Sequence, residues 1–161
     1  MKRQYNGPGT IIARGPKRPV EKIVGVHNAV VTNSQTAGLN ILPGVACTYS
    51  GGTLTISTTW NNTVSTAAFY WALVFLREGQ TLSSLSIANN TVLYEPSQDV
   101  LACGCANAII GATDNQDTII KEYKLKSMRK MKEGDGIVFT TLGNSAGIAR
   151  IDVVFTAFFK E

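Results

Sequence analysis

The chain has 161 residues and a mass of 17.3 kDa, which suffices for one domain of ordinary size but not for two. Hydrophobic residues make up 44% and charged residues 16% of it, a composition that excludes a disordered chain. The longest apolar run, residues 67–76, is about half the length of a membrane-spanning helix. Residues 1–9 lack the apolar stretch of a secretory signal, so we expect a soluble protein made in the cytosol.

The net charge of +4 is concentrated in two zones. Residues 1–20 contain five basic residues and no acid, and residues 121–132 contain six basic residues and one acid. Two compact basic zones on an otherwise acidic chain indicate contact with a polyanion, and a solvated strand face preceded by a loose tail is the alternative. The basic residues are Lys2, Arg3, Arg14, Lys17 and Arg18 in the first zone, and Lys121, Lys124, Lys126, Arg129, Lys130 and Lys132 in the second.

Cysteine and histidine are too few to indicate a metal site. Cys47, Cys103, Cys105 and the single His27 do not have the paired spacing of zinc ligands, and an odd number of cysteines does not form a disulfide framework. We interpret Cys103 and Cys105 as small buried residues on either side of a strand glycine. Most acids lie in turns, and nucleotide-binding, zinc-protease and nucleophile-elbow motifs are absent. We therefore expect no catalytic residues, no metal and no cofactor.

Along the chain, an aperiodic segment comes first and β-type segments follow. Residues 1–20 contain three prolines and three glycines without periodicity, which predicts an extended basic arm. Seven or eight strands separated by turn clusters, with 15 glycines and no amphipathic helix, predict an all-β sandwich or barrel. A turn at residues 95–99 is the one helical candidate. The clearest predicted strands are residues 23–31, 53–60, 69–76, 119–128, 137–142 and 150–159.

The alternation of apolar and polar residues predicts which side chains face the core. Residues 69–76 are apolar on both parities, as in a strand buried on both sides. In residues 119–128 Lys121 interrupts the apolar face, and the opposite face is charged. Inward-facing side chains are predicted for Leu54, Ile56, Thr58, Trp60, Ile119, Tyr123, Leu125, Ile151, Val153, Phe155, Ala157 and Phe159.

Four segments share their order and spacing with a known family. They are WALVFLREGQ from Trp71, LYEPSQDVLACG from Leu93, MRKMKEGDGI from Met128 and an apolar last strand that ends in Phe158-Phe159. In this order the chain resembles the capsid proteins of circular Rep-encoding single-stranded DNA (CRESS-DNA) viruses over roughly residues 50–159. The resemblance implies an eight-stranded jelly-roll β-sandwich over residues 21–161. It also implies that about 60 copies form a T=1 icosahedral shell around circular single-stranded DNA.

The resemblance implies partners and a location as well. These are further copies of the chain, the genome and a host receptor, without membrane insertion, in a virion made in the host cytoplasm and assembled there or in the nucleus. The basic residues of both zones would neutralise phosphates without reading sequence. The family usually has a dense N-terminal arginine tract, whereas five dispersed basic residues stand here, so neutralisation would be partial.

Two further expectations concern surfaces. Apolar residues on outward faces, such as Val74 and Leu76, are expected to need a neighbouring copy to cover them. The alternative function, from a different class, is a free-standing lectin-like jelly-roll module that binds its ligand as a monomer or trimer. That module would need no basic arm.

Overall fold

The computed structural model describes residues 20–34, 36–60, 67–80, 99–108, 118–144 and 147–160. These residues form nine β-strands, and they contain no helix that is long and apolar enough to cross a membrane. Residues 1–19 of the predicted arm at 1–20, and most of the helical candidate at 95–99, lie outside them, and residue 20 is the first residue of a strand. The strands are β1 (Val20–Val30), β2 (Thr36–Ile41), β3 (Cys47–Trp60), β4 (Ala68–Leu76), β5 (Val100–Asn107), β6 (Thr118–Leu125), β7 (Arg129–Met131), β8 (Gly136–Gly143) and β9 (Ala149–Lys160).

The strands form two antiparallel sheets. Sheet 1 has the order β1-β9-β3-β6, and sheet 2 has the order β2-β8-β4-β5. β7 pairs with the beginning of β3 on the side where β6 pairs with the rest, so β6 and β7 act as one interrupted edge strand. On that count each sheet has four strands, and all but one of the connections between successive strands cross from one sheet to the other. This is the strand order of a jelly roll, and it confirms the predicted fold class.

The core lies between the sheets and is formed by the side chains that alternation predicts. In β3 the predicted inward residues are at most 5% exposed, and in β9 at most 1%. The predicted inward residues of β6 are partly buried and pack against the same core. Aromatic rings fill its centre, with Tyr49 and Phe159 centroids 5.9 Å apart and Trp71 and Phe139 centroids 6.1 Å apart.

β4 is buried on both faces, as predicted, and lies between β5 and β8 in sheet 2. Trp71 to Phe75 are all at most 4% exposed. Val74 is opposite Val138 of β8 and is only 3% exposed in the single chain. The expectation that Val74 needs a neighbouring copy to cover it is therefore wrong, and Leu76 is half-buried.

The prediction that Cys103 and Cys105 are buried is also wrong. β5 is the edge strand of sheet 2, and both thiols lie on its exposed face. Gly104 between them faces the opposite way, under the indole of Trp71. A Cβ at this position would lie 2.7 Å from Cζ2 of that ring, which explains the glycine. None of the three cysteines in these strands forms a disulfide.

Candidate nucleic-acid interface

The segments that carry the family resemblance meet at one end of the sandwich, beginning with Asp135. This carboxylate is 6% exposed in the turn between β7 and β8. Its Oδ1 accepts a hydrogen bond from the backbone N–H of Glu78 at 3.1 Å, and its Oδ2 accepts one from the backbone N–H of Lys132 at 2.7 Å. Gly134, in the same turn, has a φ of 87°, which favours glycine. Asp135 thus ties its own turn to the turn that follows β4.

Arg129 connects the same end of the two sheets. Its guanidinium carbon lies 5.8 Å from the centroid of the Phe75 ring, and Nη1 lies 3.9 Å from Oδ1 of Asp99. The backbone N–H of Phe75 donates to the carbonyl of Asp99 at 2.6 Å. Since β7 belongs to sheet 1 and β4 to sheet 2, Arg129 bridges the sheets. Arg129 lies on the inner face of β7, where its charge stabilises the fold and does not face solvent on the outer surface of the sheet.

Lys121 also lies on an inner face, away from the other lysines of its strand. It is opposite Ile56, whose side chain is in the core. Lys121 lines a cavity of about 30 Å³ at the open edge between the sheets, together with Trp60, Trp71 and Tyr123. A void of this size accommodates about one water molecule.

The outer face of sheet 1 brings together four exposed lysines from four strands. Lys130 is opposite Thr48, Thr48 is opposite Lys160, and Lys160 is opposite the first residue of β1. Because adjacent strands are about 4.8 Å apart, the Cα atoms of Lys130 and Lys160 are about 10 Å apart. We call this group the lysine corner; Lys22, Lys130 and Lys160 lie at one end of the sheet, and Lys124, opposite Thr53, lies about 13 Å further along it.

The lysine corner joins the two basic zones of the sequence. The chain enters β1 at Val20, opposite Lys160, so the segment with the first basic zone is attached at this corner. The acids of the described part of the same face are Glu122, two residues from Lys124 on β6, and Asp152, further along β9. A polyanion at the corner would therefore meet Lys124 and Lys130 of the second zone together with Lys22 and Lys160.

The six basic residues predicted from the second zone separate into three environments. Lys124 and Lys130 belong to the lysine corner, and Lys121 and Arg129 lie on the inner faces. Lys126 is exposed in the connection between β6 and β7, and Lys132 is exposed in the Asp135 turn. The five basic residues predicted from the first zone, Lys2, Arg3, Arg14, Lys17 and Arg18, lie outside the described residues.

Lys22 and Lys160 were not among the predicted site residues. Lys22 follows an acid, and Lys160 stands between an aromatic residue and an acid at the chain end, so neither forms a charge run. Only the pairing of strands reveals these two lysines as site residues. β1 and β9 pair over their full length, and this pairing brings Lys22 and Lys160 to the same end of sheet 1.

No protein-family model matches the sequence, and no curated protein matches it. A chain from the structure of Desmodium yellow mottle tymovirus aligns with a TM-score of 0.37 at 10% identity, over 99% of this chain and 95% of that one. A chain from the empty head of turnip yellow mosaic virus aligns with a TM-score of 0.35 at 9% identity, over 99% and 90%. At these TM-scores the fold assignment rests on the strand order of this chain, not on the superpositions.

Proposed function

We propose that the chain is the subunit of a small viral capsid that packages single-stranded DNA. The observation that carries the proposal is the meeting of the family-like segments within a jelly roll. Asp135, in the segment from Met128, accepts a hydrogen bond from the segment that begins at Trp71. Arg129, in the same segment as Asp135, contacts Phe75 of the segment from Trp71 and Asp99 of the segment from Leu93. Segments that are scattered in the sequence thus have one shared structural task, which supports the resemblance.

In this proposal residues 21–161 form the shell domain and residues 1–20 form a basic arm. About 60 copies close a T=1 shell, as the family resemblance implies. The chain has a structural and not an enzymatic role, and its location is the virion. Its partners are its own copies, circular single-stranded DNA and a host receptor, without insertion into a membrane.

The lysine corner and the arm are proposed to face the genome. Four lysines in the corner and five basic residues in the arm would place about 540 positive charges inside a shell of about 60 copies. These charges neutralise phosphates and carry no sequence readout, because lysine contacts the backbone as a point charge. A genome of well over about 1,000 nucleotides would be neutralised in part, with polyamines or metal ions covering the rest.

The test is the identity of nucleic acid inside purified particles. Particles are treated with nuclease, opened, and their contents are digested with DNase, RNase or a single-strand-specific nuclease. The proposal predicts nuclease-protected single-stranded DNA. Protected RNA would contradict the packaging of DNA, and a stable monomer or trimer without particles would contradict the capsid role in favour of a lectin-like module.

A further inference from the structure

β1 is an edge strand with one side open. It pairs with β9 over eleven consecutive residues without a register shift, and no described strand pairs with its other side. A long regular edge presents a row of backbone N–H and C=O groups to any other strand that approaches. Natural edges are usually protected by charged residues, proline or a bulge. From Ile23 to Val31 the chain contains none of these.

The outward face of this edge is apolar. Val24 and Val30 are 50% exposed, and Val26 is 71% exposed. Val154 of β9 lies opposite Val26 and is 38% exposed. The next strand of the sheet, β3, presents threonine and serine on this face, so the apolar strip is confined to the side that borders the open edge. A partner that buries it therefore approaches along the edge.

We propose that β1 pairs antiparallel with β1 of a second copy across a two-fold axis, with Val24 opposite Val26 of the second copy. The proposal rests on the self-assembly proposed above and names one contact of it. In this register Val154, Val26 and Val24 of the second copy lie in one row, and symmetry repeats the row. The two strips thus become one apolar patch across the axis, and both open edges are paired.

Charge complementarity selects this register. It places Lys22 opposite Asn28 of the second copy, whose amide N–H donates to Asp152 and whose amide oxygen accepts from Nη2 of Arg150 at 3.3 Å, so that Asn28 separates Lys22 from that guanidinium. The Cα atoms of Lys22 and that Asp152 would be about 10 Å apart, a distance that a lysine side chain and a carboxylate span. Symmetry forms this pair twice.

The two neighbouring registers that keep the same faces together are worse. A shift one way places Lys22 opposite Val30, whose neighbour on β9 is Arg150, and like charges in adjacent positions are destabilising. A shift the other way places Lys22 opposite Val26, inside the apolar strip. A second copy therefore fits this edge in one register.

The test is cross-linking between copies. The variant V24C/V26C is made in a C103S/C105S background, because the native thiols at 103 and 105 are exposed. Opposed residues of antiparallel strands have Cβ atoms about 4.5–5.5 Å apart, which a disulfide closes with small adjustments. Two positions i and i+2 within one strand are too far apart for an intrachain bond. The matched control is I120C in the same background, since Ile120 is 67% exposed on the opposite edge strand of the same sheet.

After oxidation with copper-phenanthroline, the proposal predicts that most of the V24C/V26C chains run as a dimer on a non-reducing gel. The control should form at least five-fold less. Adding K22D should lower the dimer fraction several-fold, and adding D152K to K22D should restore it. Equal cross-linking in V24C/V26C and the control, or no response to K22D, would overturn the proposed pairing.

Light scattering on the same samples separates the two proposals. Particles that form while the β1 thiols do not cross-link would overturn the β1 pairing and leave the capsid role standing. The same result is expected if residues 1–19, and not a second copy, cover the β1 edge. Dimers that cross-link in a preparation that never exceeds dimer size would support the β1 pairing and overturn the capsid role.

Discussion

At the scale of single residues, Asp135 shows how a charged side chain serves the fold. It is nearly fully buried and accepts two backbone hydrogen bonds from two different turns. Replacing it with alanine removes the acceptor of two part-buried backbone N–H groups, and each hydrogen bond to a charged group is worth about 1.5–3 kcal/mol. We expect D135A to lower the free energy of unfolding by at least about 2 kcal/mol in urea titrations, and D135N, which keeps one acceptor, by less.

The matched control for this prediction is E133A, an exposed acid two residues away in the same turn. It should change the free energy of unfolding by less than about 0.5 kcal/mol. If D135A and E133A were equally stable, Asp135 would not hold the two turns together.

Tyr49 is expected to lower the free energy of unfolding at high pH. Burial raises the pKa of its hydroxyl from 10.0 to about 12. Between these values the unfolded chain releases a proton that the folded chain keeps, so the free energy of unfolding falls as the pH rises. Comparing urea titrations at pH 9 and pH 11, the wild type should lose about 1 kcal/mol more than Y49F. Equal losses would show that this hydroxyl does not link the fold to pH.

At the scale of elements, β7 separates a structural cation from a surface cation. Arg129 and Lys130 are neighbours, and because successive side chains of a strand point to opposite faces, one bridges the sheets and the other lies in the lysine corner. R129A should lower the free energy of unfolding by about 1 kcal/mol through loss of the Phe75 and Asp99 contacts, after allowance for their partial exposure. K130A should leave it within about 0.5 kcal/mol of the wild type.

The two substitutions should have the opposite effects on the binding of single-stranded DNA: K130A should weaken it and R129A should not. K130A should reduce the slope of log K against log salt by about 0.7, the value for one lost phosphate contact on a single strand, and R129A should leave the slope unchanged. A slope reduced by R129A and not by K130A would place the nucleic acid on the other face of β7. Salt series by fluorescence anisotropy measure both.

The elements also show how far the sequence predicts the structure. Alternation over residues 53–60 of β3 and 150–159 of β9 predicted the inward residues of these segments, because both strands lie inside sheet 1 with one dry face. Tyr49, which lies before the bulge in β3, was not predicted. Alternation does not say which strands lie at an edge. For that reason Cys103 and Cys105 were expected to be buried, although β5 is an edge, and Val74 was expected to be exposed, although β4 is central.

The candidate interface was predictable only in part, for a related reason. Lys124 and Lys130 stand in a charge run and were found, but Lys121 and Arg129 stand in the same run and lie on inner faces. Lys22 and Lys160 join the corner through pairing between strands that are more than 120 residues apart, and such pairing leaves no local sequence signal.

At the scale of the whole molecule, charge from four strands lies on the outer face of sheet 1, and the proposed β1 edge pairing borders the same face, with Lys22 common to both. Replacing Lys22, Lys124, Lys130 and Lys160 with glutamine should lower the salt slope of single-stranded DNA binding by about 3, because each lost contact contributes about 0.7. Replacing Lys121, which lies on the inner face of β6, should leave the slope unchanged. If replacing Lys121 lowered the salt slope as much as replacing one corner lysine does on average, the binding of DNA would depend on net charge and not on the lysine corner.

The capsid role is tested most directly by the mass of the purified full-length chain in solution. Size-exclusion chromatography with light scattering, recorded at 260 and 280 nm, measures the assembly and its nucleic acid together. The capsid role predicts a particle of about 60 copies, near 1 MDa for a 17.3 kDa subunit, with raised absorbance at 260 nm. A species of 17 kDa, or a trimer, that persists across salt and pH would contradict it.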